Sequence, residues 1–411
     1  MNEKKLRAYA RLIARSGVNI VKGQEVIIRS APEQTEFLEM LAEACYEAGA
    51  SRVSFDWRFQ ELTRLDSKYR SDESLAKVEA WEEEKLKHTT QTLPAMISIT
   101  SEDPDGLAGA DQAKLARANQ ARYAILRPYQ EAMENKYQWC VAAVPGVKWA
   151  RKVFPGLSDG EAVEKLWELI LHCARADGED PIETWKEHSA NIHRRCDWLN
   201  SLKLRRLVYK SRSSGTDFSV GLIPGMNFCG GSEELKSKGI EYNPNIPSEE
   251  VFTTPMAGDA EGIVCATLPL SYRGVLIEDF SVRFEKGRVV EVKAAKNEEA
   301  LRLMVQMDEG AAMLGECALV PWESPIRESG VLFYNTLFDE NAACHLALGR
   351  GYSSCMQDYE KYTPEEFKAL GVNDSMIHED FMIGAADLDI TGITEDGREV
   401  QIFRNGNWAE E

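Results

Sequence analysis

The chain has no basic surplus, no long hydrophobic run and no paired-cysteine signature. Its 411 residues carry 48 Lys and Arg against 67 Asp and Glu, a formal charge of −19. That deficit argues against nucleic acid as a partner, since a phosphate backbone needs a basic footprint. It argues equally against an anionic membrane surface. No stretch reaches the roughly 18 apolar residues a membrane helix needs. The opening segment, MNEKKLRAYARLIARSG, alternates charged and apolar residues and lacks the apolar centre of a secretion signal. Nine cysteines occur, an odd count, with no C-x-x-C spacing. This is neither a disulfide framework nor a cysteine-type zinc site, and free, mostly buried thiols in a reducing cytoplasm are expected.

What is present is the composition of a soluble globular protein, 44% hydrophobic and 28% charged, long enough for two or three domains. The first 60 residues read as helix, strand, helix, strand. Leu6, Tyr9, Leu12 and Ile13 fall at helical spacing before Gly17, and Thr35 to Ala48 is amphipathic and closed by Gly49. Val26-Ile27-Ile28 and Arg52 to Phe59 read as strands, an order that suggests a parallel sheet with crossover helices. Residues 72 to 140 look mostly helical around a strand at Leu93 to Ile99. Residues 158 to 200 are helical again, with Trp167, Ile170 and Leu171 as a core stripe. From Leu202 to Lys293, β-branched residues and Gly and Pro punctuation indicate antiparallel strands. A helix is predicted from Asn297 to about Leu314, then more β-structure, with turns at Asp396-Gly397 and Asn405-Gly406. The expected architecture is an α/β N-terminal domain with a parallel or mixed sheet over 1–200. An α+β C-terminal domain rich in antiparallel strands would follow over 201–411.

Only six histidines exist, and two lie among acids in the last 40% of the chain. Carboxylate oxygen and imidazole nitrogen together suit hard and borderline divalent ions. His378 and Asp380 are two apart, so on a strand they point the same way while Glu379 faces the other side. A surface strand edge would also account for that spacing. His345 lies in a small-residue stretch from Asp339 to Gly349 that reads as a helix with both caps, where a core histidine is the ordinary alternative. Glu340 suits the first turn of that helix, and Tyr352, standing alone, suits an interior aromatic. Glu316 is predicted at the C-terminus of the preceding helix, where an acid opposes the macrodipole and suggests a compensating partner such as a cation; a solvated acid just past the Gly315 stop is the ordinary alternative. Glu250 sits between Pro247 and Pro255, in a segment that also suits an exposed acidic loop.

The blocks PSEEVFTTP (247–255), DENAACHLALG (339–349) and HEDFMIG (378–384) resemble the thermophilic aminopeptidase family, which includes aminopeptidases T, S and II. Chain length agrees end to end. The resemblance implies that Glu250, Glu316, His345, His378 and Asp380 hold two divalent ions per subunit, whether zinc, cobalt or magnesium, with Glu316 bridging. It implies Tyr352 at the metal centre, as a ligand or as a hydrogen-bond donor to the tetrahedral intermediate. Glu340 is left as a ligand, a general base or a supporting acid, and the base lies between Glu316 and Glu340. The implied function is a metal-dependent aminopeptidase acting on short peptides, as a homodimer enclosing its active sites. Alternatives that the ligand set permits are another two-metal amide or phosphoester hydrolase, and a non-catalytic metal-binding α/β module. No Arg or Lys cluster adjoins the blocks to hold a phosphate; Arg350 is the nearest basic residue.

Overall fold

The computed structural model describes residues 2–409. Two compact units emerge, one of residues 1–186 with 232–247 and one of residues 187–231 with 248–411. The first unit is built on four parallel strands, β1 (Glu25–Ser30), β2 (Arg52–Trp57), β3 (Ala95–Thr100) and β4 (Trp139–Ala143), in the order β2-β1-β3-β4. Parallel pairing follows from the crossover helices. Helix Thr35–Ala48 ends where Gly49 takes φ +111°, a conformation that glycine alone adopts without strain. The Glu3–Leu12 helix is capped by Asn2, whose side chain accepts from the Lys4 amide. Tyr9, Phe37 and Trp167 pack ring to ring beneath the sheet, and Ile170 and Leu171 are buried as the helical stripe requires.

In chain order, β5 (Leu204–Lys210) and β6 (Asp217–Leu222) belong to the second unit, and the hairpin β7 (Glu233–Leu235) and β8 (Ile240–Tyr242) belongs to the first. The rest of the chain completes the second unit: β9 (Val251–Thr253), β10 (Pro255–Cys265), β11 (Leu270–Tyr272), β12 (Val275–Glu285), β13 (Arg288–Lys296), β14 (Leu314–Leu319), β15 (His345–Gly349), β16 (His378–Met382), β17 (Asp389–Thr394), β18 (Glu399–Arg404) and β19 (Asn407–Trp408). One antiparallel sheet of nine strands runs β11-β12-β10-β6-β5-β17-β18-β19, with β13 paired to β12. Four more strands form a smaller antiparallel sheet, β16-β15-β14-β9. That smaller sheet turns Val251, Leu346, Leu348 and Phe381 into the shared core, where each large apolar side chain contributes about 1.5–3 kcal/mol.

Two predicted helices are corrected. The helix expected over 297–314 spans only Glu298–Val305; a 3-10 turn at Gly310–Ala312 and strand β14 follow. Glu316 therefore lies inside a strand, and the macrodipole argument for it does not apply. The helix expected from Asp339 to Gly349 is a short helix Thr336–Asp339, a 3-10 turn Glu340–Ala342 and strand β15. Asp339 is no N-cap; its carboxylate accepts the amides of Phe333 and Asn335. Gly349, at φ +107°, ends a strand. Every residue of β14 and β15 is buried, and pairing on both sides overrides the helical propensity of Ala and Leu.

Candidate metal centre

Strand register decides which side chains meet. Residues paired across an antiparallel sheet share a face, as do alternate residues along a strand. Glu316 pairs with Ala347, which pairs with Asp380. Gly349, two along from Ala347, pairs with His378, and Ala318, two along from Glu316, pairs with His345. Glu316, His345, His378 and Asp380 therefore share one face of the smaller sheet. Phe252 pairs with Ala318 on that face, and Glu250 precedes it by two residues. The partners Ala318, Ala347 and Gly349 are small and leave room above the sheet. Glu379 pairs with Leu348 and faces the core side, as strand parity predicts.

A bulge puts Glu316 on the right face. Leu314 pairs with Leu348 on the core side, and the register then shifts by one so that Glu316 meets Ala347. The extra residue is Gly315. A Cβ there would lie 2.3 Å from the Arg350 carbonyl oxygen and 2.4 Å from that of Gly349.

The resulting distances are short. His345 Nε2 is 3.2 Å from Glu250 Oε2 and 4.0 Å from Glu316 Oε1. His378 Nε2 is 3.0 Å from Glu316 Oε2 and 3.5 Å from Asp380 Oδ1. The two oxygens of Glu316 thus face two different imidazoles. Each imidazole is turned by its other nitrogen: Nδ1 of His345 lies 3.2 Å from the Ala343 carbonyl, and Nδ1 of His378 lies 2.7 Å from that of Arg350. A carbonyl only accepts, so Nδ1 of each ring carries a proton and Nε2 is the nitrogen that faces the site.

Charge in this space is unbalanced. Burial pushes the Glu316 carboxyl up to about 7, and the charges of Asp380 and Glu250 add to it against the His378 contact. Burial, with Asp380 and Glu250, also holds Glu340 well above the carboxylate range. Burial disfavours a charged imidazole, yet Glu250 outweighs it at His345, which rises to about 10. Burial is likewise outweighed at His378, chiefly by Asp380. Two causes combine: burial raises the two carboxyls, and the excess of negative charge in the same volume raises carboxyls and imidazoles alike.

The whole chain has known relatives. Residues 2–408 match the family described as thermophilic metalloprotease (M29). Aminopeptidase T of Thermus thermophilus is 40% identical over 408 residues, covering 99% of each chain. Aminopeptidase AmpS of Bacillus subtilis is 39% identical over 406 residues, covering 98% of each. The solved structure of wild-type AmpT from Thermus thermophilus superposes with a TM-score of 0.89 at 38% identity, covering 99% of this chain and 100% of that one. This chain belongs to the thermophilic metalloprotease family.

A metalloprotease needs a divalent metal, and the residues of this one fit it. Two groups offer ligand atoms within 4.8 Å of one another, Glu250 with Glu316 and His345, and Glu316 with His378 and Asp380. Glu316 is common to both. Asp380 Oδ1 is buried without a hydrogen-bond partner, its 3.5 Å separation from His378 being too long for one. All donors are oxygen or nitrogen; Cys317 faces the core, and the Cys344 thiol donates to the Val320 carbonyl.

The other two residues singled out in the sequence of this metalloprotease sit beside these groups. Tyr352 Oη is 3.1 Å from His378 Nε2, its ring packed on Phe252 and His378. Glu340 is buried outside both groups, and Asn341 Nδ2 lies 3.3 Å from its Oε1. Two buried residues that sequence reasoning passed over support the site. Asn341 accepts the Glu249 amide through Oδ1 at 2.7 Å, and Thr254 exchanges hydrogen bonds with the backbone of Tyr352. Both lie inside the family-like blocks, but nothing in the local pattern marks them out.

Proposed function

We propose that this chain is an aminopeptidase whose active site uses two divalent ions. Glu250, Glu316 and His345 would hold one, and Glu316, His378 and Asp380 the other. The observation that carries this reading is the Glu316 carboxylate, whose two oxygens face the two imidazoles of two separate ligand groups. Such ions would polarise a scissile carbonyl and lower the pKa of an attacking water. The acidic excess of the site also suits the ammonium of a peptide N-terminus, which would restrict cleavage to the first residue.

The remaining steps fall to the chain itself. Glu340 is assigned the proton transfer, from the attacking water to the leaving amine nitrogen, because both oxygens of Glu316 are committed to ligand groups. Tyr352 Oη is assigned to donate a hydrogen bond to the oxyanion formed on attack. We further propose a cytoplasmic homodimer acting on short peptides. Its support is the family resemblance and nine cysteines that form no disulfide, seven of them buried. Sedimentation of the purified protein tests the dimer.

Metal analysis and assay of leucyl and other aminoacyl amides with added zinc, cobalt or magnesium test the core of the proposal. Two ions per chain and release of the N-terminal residue are expected, and His345→Ala or Asp380→Ala should lose metal and activity together. Full activity of either variant after dialysis against a chelator would falsify the assignment.

A further inference from the structure

We infer that Thr254 is a positioning residue that locks the backbone of Tyr352 so that its hydroxyl stays beside His378 Nε2; the inference rests on the catalytic reading of that hydroxyl. Thr254 follows β9, directly before Pro255, and is fully buried. Its Oγ1 accepts the Tyr352 amide at 2.8 Å and donates to the Tyr352 carbonyl at 3.1 Å. One hydroxyl therefore satisfies both backbone groups of one residue 98 positions away.

The chain around Tyr352 explains why a lock is needed there. Tyr352 lies outside any strand, after Gly349 and Gly351 and before a 3-10 turn at Ser353–Cys355. Such a segment has wide backbone freedom. Close approach is built in: a Cβ on Gly351 would lie 2.6 Å from Thr254 Cγ2. The ring is held from its sides by Phe252, at 5.4 Å and 64°, and by His378, at 4.8 Å and 51°. Phe252 comes from the same strand segment as Thr254, so ring and backbone are both referred to β9. The strand that leads in from Glu250 thus also sets the hydroxyl that faces His378 Nε2.

Thr254→Val keeps the shape of the side chain and removes only the hydroxyl, while Thr254→Ser keeps the hydroxyl. Three readouts test the lock. In amide hydrogen exchange of the whole protein, Thr254→Val should lose protection at the Tyr352 amide, whereas the Gly351 amide, bonded to the Asn373 carbonyl at 2.9 Å, keeps its own. On an aminoacyl amide, Thr254→Val should lower kcat about tenfold with KM changed less than about twofold, and Thr254→Ser should restore most of it. In a Tyr352→Phe background, Thr254→Val should change kcat by less than about twofold, because the group it positions is already gone. An unchanged kcat in Thr254→Val, or an equal loss with and without the tyrosine hydroxyl, overturns the inference while leaving the role of Tyr352 intact. A Tyr352→Phe variant with parental kcat instead removes the reading on which the inference stands. If Thr254→Val does not fold, Thr254→Ala carries the same three comparisons.

Discussion

Replacing Asn341 by alanine should unsettle the metal centre from behind. Asn341 is fully buried, and its side chain joins two segments that carry acids of the site. Oδ1 accepts the Glu249 amide at 2.7 Å, one residue before Glu250, while Nδ2 donates to the Leu337 carbonyl at 3.0 Å and lies 3.3 Å from Glu340 Oε1. Its own carbonyl takes the Ser324 hydroxyl at 2.6 Å, a contact that alanine keeps. Truncation leaves the Glu249 amide without its acceptor and the Leu337 carbonyl without this donor, at about 1–3 kcal/mol per unsatisfied buried group. A net loss of about 3 kcal/mol corresponds to a fall in Tm of about 6–12 °C for a unit of this size. Because Glu250 and Glu340 both lose a brace, affinity for divalent ions should fall by about 10–100-fold, the usual effect of removing a support behind metal ligands. Calorimetry with and without chelator gives the first number, and competition against a chelating dye gives the second. A variant that melts with the parent and holds metal as tightly as the parent would show that Asn341 does not brace the site.

Four further outcomes follow from particular contacts. Tyr352→Phe should lower kcat by about 100-fold with little change in KM, as loss of one oxyanion donor does; steady-state assay on an aminoacyl amide checks it. Gly315→Ala must move a backbone whose oxygens lie 2.3–2.4 Å from the new Cβ, and with it the bulge that orients Glu316, so metal content and Tm should both drop. Asp387 accepts hydrogen bonds from the hydroxyls of Ser213 (2.6 Å) and Ser211 (2.7 Å) and from the amides of Ser213 (2.9 Å) and Arg212 (3.0 Å), which hold its carboxyl well below the usual range. A folded-state pKa below the unfolded value gives stability that is present above about pH 4 and fades as the pH falls further, so Asp387→Asn should be less stable than the parent at pH 7 and closer to it at pH 3. Urea midpoints at the two pH values decide this, and an equal gap at both would refute it. Removing divalent ions with a chelator should lower Tm by an amount that is restored on adding metal back, since a ligand that binds only the folded state stabilises it by mass action.

Some of these contacts were legible in the sequence and others were not, for physical reasons. The helix from Thr35 to Ala48 was readable because its apolar period is 3.6 and a glycine ends it. The H-x-D pair at His378 and Asp380 was readable because an edge strand keeps its period of two: Glu379 did turn to the other face. Strands β14 and β15 hid themselves. They are the inner strands of the small sheet, buried throughout, and LGECAL and HLALG show no alternation. Their Ala and Gly read locally as a helix with a cap, yet Ala318, Ala347 and Gly349 are small because they lie opposite His345, Glu316, Asp380 and His378 and leave space for those side chains. The feature that misled the local reading is the one the site needs. Thr254 and Asn341 were hidden for a different reason: their partners lie 98 and 92 residues away, and no local pattern reports a hydrogen bond of that span. Glu316 shows how the two levels combine. Its identity as an acid was visible, but its direction is set by a one-residue bulge: two apart in an unbroken strand, Leu314 and Glu316 would share the core face, and the extra residue at Gly315 lets them face opposite sides.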